Sequence, residues 1–354
     1  MHLFHDTPAY YNTNALMARA WTETYGGSVH ADMTIDANDG LNGGPAWSAS
    51  SANGTAIAYH DQVGQAAFAV GMCFKCTTLP GADKTILAVV DATGAIQVGV
   101  VLKTTGKLAV YRGAISAQLG SDSTDAITTS TTLEIGFKGT VAEVGGAVEV
   151  WLGTAGDADS WERVIAVSGV DTVGGTGESW RGVYIGAITT TFASHLYARD
   201  GQGAIATDLV FGYTVGCKFP SSAGIYTGYT PNAGTIQAAL DDTAADDDTT
   251  YAETFAQVAS FTVGVSTAAD TEFVYAVETV ASVKNTASGA GLSYIPRCVI
   301  DADDEPLLFD GAFRTPTTSA YKAFRERYPV NPQTGLPWTV DELNAAEWGG
   351  YALA

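Results

Sequence analysis

Candidate chemistry in this chain starts with its cysteines and histidines. Cys73-Phe74-Lys75-Cys76 has the spacing of a redox pair or of half a zinc site. The motif lies inside the apolar run 66–76, which reads as a strand, and neither a second such pair nor a histidine pair accompanies it. Two reduced, structural cysteines are therefore expected, and Cys217 and Cys298 stand alone. His2, His5, His30, His60 and His195 never fall at the HxH or HxxxH spacing that puts two imidazoles on one metal. They read as turn or surface residues.

The carboxylates say little more. Glu143 and Glu149 flank Gly145-Gly146, which fits a hairpin with solvated charges better than a catalytic pair. The alternating acidic run that lines a glucanase strand, Glu-x-Asp-x-x-Glu, does not occur, so no catalytic residue is assigned and a chain that is not an enzyme is expected. Asp246-Asp247-Asp248 and the group Asp301, Asp303, Asp304, Glu305 offer hard oxygen ligands that could wrap calcium. Lacking EF-hand spacing, they read as solvated loops, and no metal or other cofactor is expected. Gly174-Gly175-Thr176-Gly177 lacks the lysine and following helix of a phosphate cradle and reads as a plain loop. Trp21, Trp47, Trp161 and Trp180, with the tyrosines, could build a sugar-stacking surface, although aromatics in a sandwich more often fill its core. Ligand-binding residues stay unassigned.

The elements that would position such residues are β-strands. Across 354 residues only 16% are charged while 40 are glycine, and a hydrophobic share of 46% is far above that of a disordered chain. From about residue 29 to 215, short β-like runs alternate with Gly, Asp, Ser and Thr clusters, as in a sandwich or barrel, and around ten strands suggest two packed sheets. Leu133, Ile135 and Phe137 alternate with Glu134, Gly136 and Lys138, and Val148, Val150 and Leu152 with Glu149 and Trp151. Each strand thus has one buried and one wetter face. Runs at 84–91, 95–103 and 107–113 read as an antiparallel meander, and runs at 160–170, 181–188 and 208–215 continue the pattern.

Beyond Cys217 the composition turns acidic, and strand-like runs return at 257–265, 272–280 and 294–300. Near the end, Tyr321, Phe324 and Tyr328 form one stripe of a short helix closed by Pro329. Thr339-Val340-Asp341-Glu342 fits a capping box, with Trp338 and Leu343 at staple positions. Three units are expected: a sandwich over 1–215, a smaller β unit over 216–310, and a C-terminal arm over 311–354 with two short helices. The arm's apolar stripes call for a partner surface, and symmetric self-association is the commonest provider.

Charge narrows the partners. Seventeen basic against 38 acidic residues leave a formal charge of -21, which repels phosphate backbones and excludes nucleic acid as the main ligand. No apolar stretch reaches the roughly 18 residues of a membrane helix, so no membrane insertion is expected. The start, Met1-His2-Leu3-Phe4-His5-Asp6, carries no secretory signal pattern.

Several segments resemble virion structural proteins of tailed bacteriophages that contain a concanavalin A-like, laminin-G-like jelly roll. Leu3-Phe4-His5-Asp6, followed by Tyr10-Tyr11 and Ala20-Trp21, is similar to the opening of those domains, and Thr207-Asp208-Leu209-Val210-Phe211 to their closing strand. Tyr229-Thr230-Pro231-Asn232-Ala233-Gly234, through Asp241-Asp242 to Asp246-Asp247-Asp248-Thr249-Thr250-Tyr251, resembles the linker that follows. The resemblance spans most of residues 1–300, and Tyr321 to Trp348 looks like the C-terminal end of such proteins. It implies an all-β, concanavalin A-like sandwich without catalytic residues, on the tail or capsid exterior of a virion assembled in the bacterial cytoplasm. Its implied partners are other virion proteins, further copies of the chain and a host-surface glycan. A pure capsid decoration protein and a soluble lectin or glucanase-like protein remain alternatives.

Overall fold

The computed structural model describes residues 2–6, 33–41, 45–49, 55–59, 64–186, 190–200, 209–210, 220–232, 234–235, 239–240, 252–253, 258–263, 274, 276–285, 293–300, 306–316 and 321–353. The chain divides into two compact units, Met1–Gly216 and Cys217–Ala354. Both are built almost wholly of β-strands, and among the described residues no helix is long and apolar enough to cross a membrane.

The first unit opens with β1 (His2–Asp6), β2 (Met33–Asp36), β3 (Ala46–Ala49), β4 (Thr55–Tyr59), β5 (Ala67–Cys76), β6 (Lys84–Val90) and β7 (Ile96–Leu102). It continues with β8 (Leu108–Arg112), β9 (Ala117–Leu119), β10 (Thr132–Thr140), β11 (Gly146–Thr154), β12 (Glu162–Val170), β13 (Gly182–Gly186) and β14 (Thr191–Arg199). One sheet runs β12-β11-β10-β5-β14-β3-β2, with β1 also on β14, and the other runs β4-β13-β6-β7-β8-β9. The two sheets form the sandwich expected from the turn spacing. The meander β6-β7-β8 falls where the runs at 84–91, 95–103 and 107–113 place it.

Period-two alternation explains what lies between the sheets. Phe68, Val70, Met72 and Phe74 of β5 meet Ile135 and Phe137 of β10, Val148 and Val150 of β11, and Val98, Val100, Leu102, Leu108 and Val110 of the second sheet. Trp47 and Trp180 complete this core, with the Trp180 indole donating to the Ala67 carbonyl at 2.7 Å. Ala88, Val90, Val101 and Ala109 alternate with the core-facing residues and are buried as well, so the middle of the second sheet is closed on both faces. This accounts for the near-continuous apolar runs of β6 and β7.

In β14 the ladder hands over from β3 at Ala193 to β1 at Leu196, across a bulge between Ser194 and Tyr197. His195 sits in that bulge with φ of 49°. It is a partly buried strand residue, which corrects its reading as a turn or surface histidine. His2 and His5 lie in β1, while His30 and His60 fall outside the described residues.

The second unit contains β15 (Pro220–Thr227), β16 (Thr230–Pro231), β17 (Ala252–Glu253), β18 (Val258–Val263), β19 (Val277–Val283), β20 (Ser293–Ile300) and β21 (Leu307–Asp310). β22 (Lys322–Tyr328), helix α1 (Val340–Ala345) and β23 (Glu347–Leu353) follow. Five strands form a sheet in the order β15-β18-β23-β20-β21, and β19-β22 and β16-β17 form two-stranded ribbons.

The expected helix at Tyr321–Tyr328 is instead strand β22. Its apolar pair Phe324 and Tyr328 is spaced i, i+4, a distance compatible with one helix stripe and with one strand face alike. Tertiary pairing decided between them: Val277 faces Tyr328, Glu278 faces Arg327 and Val280 faces Arg325 along β19. Glu278 has a fully buried carboxylate that receives Arg325 at 2.8 Å and Arg327 at 3.1 Å. The capping box at Thr339 and Glu342 is present as expected and starts α1. Trp338 then buries against Trp348 and Tyr328, and its indole N–H donates to the Tyr328 carbonyl at 3.0 Å.

Residues 311–354 are therefore not an arm. β23 lies between β18 and β20 in the middle of its sheet, hydrogen-bonded on both sides. A deletion of residues 316–354 removes β22, α1 and this central strand. We expect it to abolish the folding of the second unit, read as loss of protease resistance across residues 220–310 while the first unit stays resistant.

Candidate functional site

Among the described residues of the first sandwich, the outer face of β10, β11 and β12 combines exposure with chemistry. In β11, Val148 and Val150 enter the core, so Glu149 and Trp151 must point the other way. Register then brings two cations beside them. Lys138 of β10 lies opposite Glu149, and Arg163 of β12 lies opposite Trp151. Lys138 Nζ is 5.8 Å and the Arg163 guanidinium carbon 6.0 Å from the Trp151 ring centre, within reach of cation–π attraction.

Glu149 ties the group together. Its Oε1 accepts from Arg163 Nη1 at 2.9 Å, and its Oε2 accepts from Trp151 Nε1 at 3.2 Å and faces Lys138 Nζ at 3.2 Å. Burial alone would raise the carboxyl, but the indole N–H, Lys138 and Arg163 hold it below the usual carboxylate range. Side-chain exposure is 33% for Lys138, 27% for Glu149 and 50% for Arg163, so the cluster is open to a ligand.

Trp151 is braced from one side. Leu209 lies over Gly136 and the Tyr197 ring over Gly71, and a Cβ at either glycine would come within 2.7 Å or 2.3 Å of those side chains. The Tyr197 hydroxyl accepts from the Val210 N–H at 2.9 Å, and Leu209, Val210, Tyr197 and Ala69 form a small apolar cluster against which Trp151 packs. Leu209 and Val210 are not in a strand, which corrects the expected strand over 208–215 at those two positions; the others lie outside the described residues.

The other candidate residues lie mostly elsewhere. Trp47 and Trp180 are core, Trp161 lies against Gly153, and Trp21 is outside the described residues. Cys73 faces outward beside Glu134 while Cys76 joins the core, so alternation sends the two thiols to opposite faces. Burial raises both thiols and pushes Cys298 up to about 12. Burial also lowers His195 to about 4. Glu143 is exposed in the β10–β11 turn, well apart in role from Glu149, whose ion pairs correct its reading as a merely solvated charge. Asp246 to Asp248, Asp301 to Glu305 and Cys217 lie outside the described residues.

The glycine loop 174–177 is filled from within. Gln97 Oε1 accepts from Gly174 and Gly175 N–H at 3.0 and 2.8 Å, and its Nε2 donates to the Gly177 and Ser179 carbonyls. The Asp91 carboxylate takes the N–H and hydroxyl of both Thr93 and Thr176, and the Ala95 N–H. Donors that could have cradled a phosphate serve the protein's own side chains, the Gln97 amide oxygen and the Asp91 carboxylate.

Alternation puts Trp151 on the wetter face of its strand, although it is not among the four tryptophans whose types and positions suggest sugar stacking. The signal was available: a tryptophan in the polar phase of an alternating strand, two residues from a glutamate.

No protein-family model and no curated protein matches the chain. Solved structures similar to it include a Trypanosoma rangeli sialidase, at 16% identity and a TM-score of 0.30 over 44% of this chain and 26% of that one. A carbohydrate-binding module from Bacillus subtilis is similar at 10% identity and a TM-score of 0.28, over 46% of this chain and 88% of the module. A Shewanella oneidensis protein of unknown function is similar at 14% identity and a TM-score of 0.32, over 48% of this chain and 74% of that one. The overlay with the sialidase spans about a quarter of that enzyme's length. Enzymes, the sialidases and an arabinofuranosidase, thus stand among the similar structures, and this corrects the expectation of a chain that is not an enzyme. That expectation rested on acid pairs at short spacing, a criterion blind to pairs assembled from distant strands.

Asp91 generates a pH prediction. Burial works against its charge, but the donors from Thr176 and Thr93 prevail and lower it to about 2. A carboxyl depressed in the folded state stabilises above its unfolded value near 3.9 and loses that contribution as pH falls towards 2. Asp91→Asn should cost about 2 kcal/mol at neutral pH, a deficit that shrinks between pH 4 and 2. Thermal melts of both proteins across that range check it.

Proposed function

We propose that this protein recognises a glycan through the open face of β10, β11 and β12, and that it does so on the exterior of a tailed-phage virion, where it attaches the particle to the host surface. The observation that carries the recognition is the Trp151 platform. A braced, partly exposed indole offers the C–H face of a sugar ring a large apolar surface with little conformational entropy to lose. Lys138 and Arg163 lie over the ring at 5.8 and 6.0 Å from its centre, close enough to meet the substituents of a sugar docked against the indole. Few polar groups converging on an apolar surface is the usual make-up of a small-molecule site.

The virion placement is supported by the resemblance of the Leu3–Asp6 opening and of the Tyr229 segment to phage structural proteins. With it come the proposed partners, other virion proteins and further copies of the same chain. Several weak sugar sites on one particle gain avidity by raising the effective concentration of the second contact, which suits attachment.

Trp151→Ala tests the reading. A glycan array probed with the purified protein should show binding that the variant loses by at least about tenfold, as expected for a central aromatic anchor. Circular dichroism should be unchanged, since the side chain lies outside the main core. Equal array binding by a folded variant would refute the assignment of this face. The protein should also be detected among the components of the purified particle.

A further inference from the structure

We infer that the glycan taken by the Trp151 face is acidic, carrying a carboxylate beside the ring that stacks on the indole. The inference rests on the glycan-recognition reading above and adds to it the class of ligand.

Donor and acceptor supply carry the argument. Glu149 is the carboxylate of the cluster, and both its oxygens are engaged: Oε1 by Arg163, and Oε2 by the Trp151 N–H and Lys138. It is a positioning residue with little capacity left for sugar hydroxyls. Glu134, one row further along β10, is 1% exposed and turned towards the Gly156 N–H. The cations, in contrast, are in surplus. Arg163 commits Nη1 to Glu149 and, with half its side chain exposed, leaves the rest of its planar fork facing solvent. Lys138 has one bonded contact for three donors.

Glu149 is engaged on both oxygens and Glu134 is buried, so the exposed charge of this face is that of Lys138 and Arg163, in a chain whose formal charge is -21. A neutral sugar would need acceptors as much as donors, and among the described residues this face has few acceptors to spare. A carboxylate supplies acceptors and charge together, and the guanidinium fork matches its plane. Stacking on Trp151 then fixes the ring while Arg163 reads the acid.

The test uses an array of matched pairs, each an acidic oligosaccharide and its neutral counterpart, for example oligogalacturonate and its methyl ester. The full-length protein should prefer the acidic member by about tenfold or more, as a charge-assisted hydrogen bond predicts. That preference should weaken between 50 and 300 mM salt, roughly as a Debye length falls below 10 Å. Arg163→Gln should remove the preference, Arg163→Lys should keep part of it, and Trp151→Ala should weaken both members. If neutral members bind as well as acidic ones, or if Arg163→Gln leaves the preference intact, the acidic assignment is overturned while glycan recognition stands. If no glycan of either kind binds, both readings fall together.

Discussion

The register between β5, β10 and β11 is the constraint on which the rest of the first unit depends. β10 pairs with β5 without a bulge from Thr132↔Lys75 to Thr140↔Ala67, and with β11 from Leu133↔Thr154 to Thr140↔Ala147. Because side chains alternate, a slip of one residue would turn Ile135, Phe137, Val148 and Val150 out and drive Lys138, Glu149 and Trp151 into the core. Burying the two charges there would cost far more than any single contact could return. The core and the open face are therefore one solution to one pairing problem. What makes the sandwich stable also delivers Glu149 and Trp151, side by side, to the outside.

The outer face is a graded surface. Towards β14 it is closed by Leu209, Val210 and Tyr197, which can sit down on the sheet because Gly136 and Gly71 leave room for them. Towards β12 it opens at Trp151 and Arg163. This gradient turns a tryptophan that could have been core or free into a braced one, and bracing removes rotamer entropy before any ligand arrives. The bulge at His195 serves the same face from its far side, since it lets β14 change partners and still present Tyr197 over Gly71.

The second unit solves a different problem. Its main cluster is small and aromatic: Trp338, Trp348 and Tyr328 join Cys298 and Ile300, drawing on β20, β22, β23 and the turn into α1. Beside it, Glu278 is buried with Arg325 and Arg327. Burial lowers Arg327 to about 10, with Glu278 opposing the shift, so Arg327 stays charged at neutral pH. Buried ion pairs of this kind add little net stability, but removing one partner strands a charge. Their effect is to make the β19–β22 register costly to change.

Sequence alone determined the elements that depend on local pattern. Alternation in β10 and β11, the meander β6-β7-β8, the strands β18 and β20, and the capping box of α1 are short-range signals, decided by period two or by one side chain reaching one N–H. It also placed Glu149 and Trp151 on the wetter face of their strand. Tertiary structure decided what local pattern leaves degenerate. The Phe324–Tyr328 spacing suits helix and strand equally, and only Val277 to Val283 across the ribbon made it β. Gly174 to Gly177 looked like an idle loop until Asp91 and Gln97, distant in sequence, filled it. The site itself needed three strands, because Lys138, Glu149 with Trp151, and Arg163 come together by cross-strand register, and register is set by how whole faces pack rather than by any one segment.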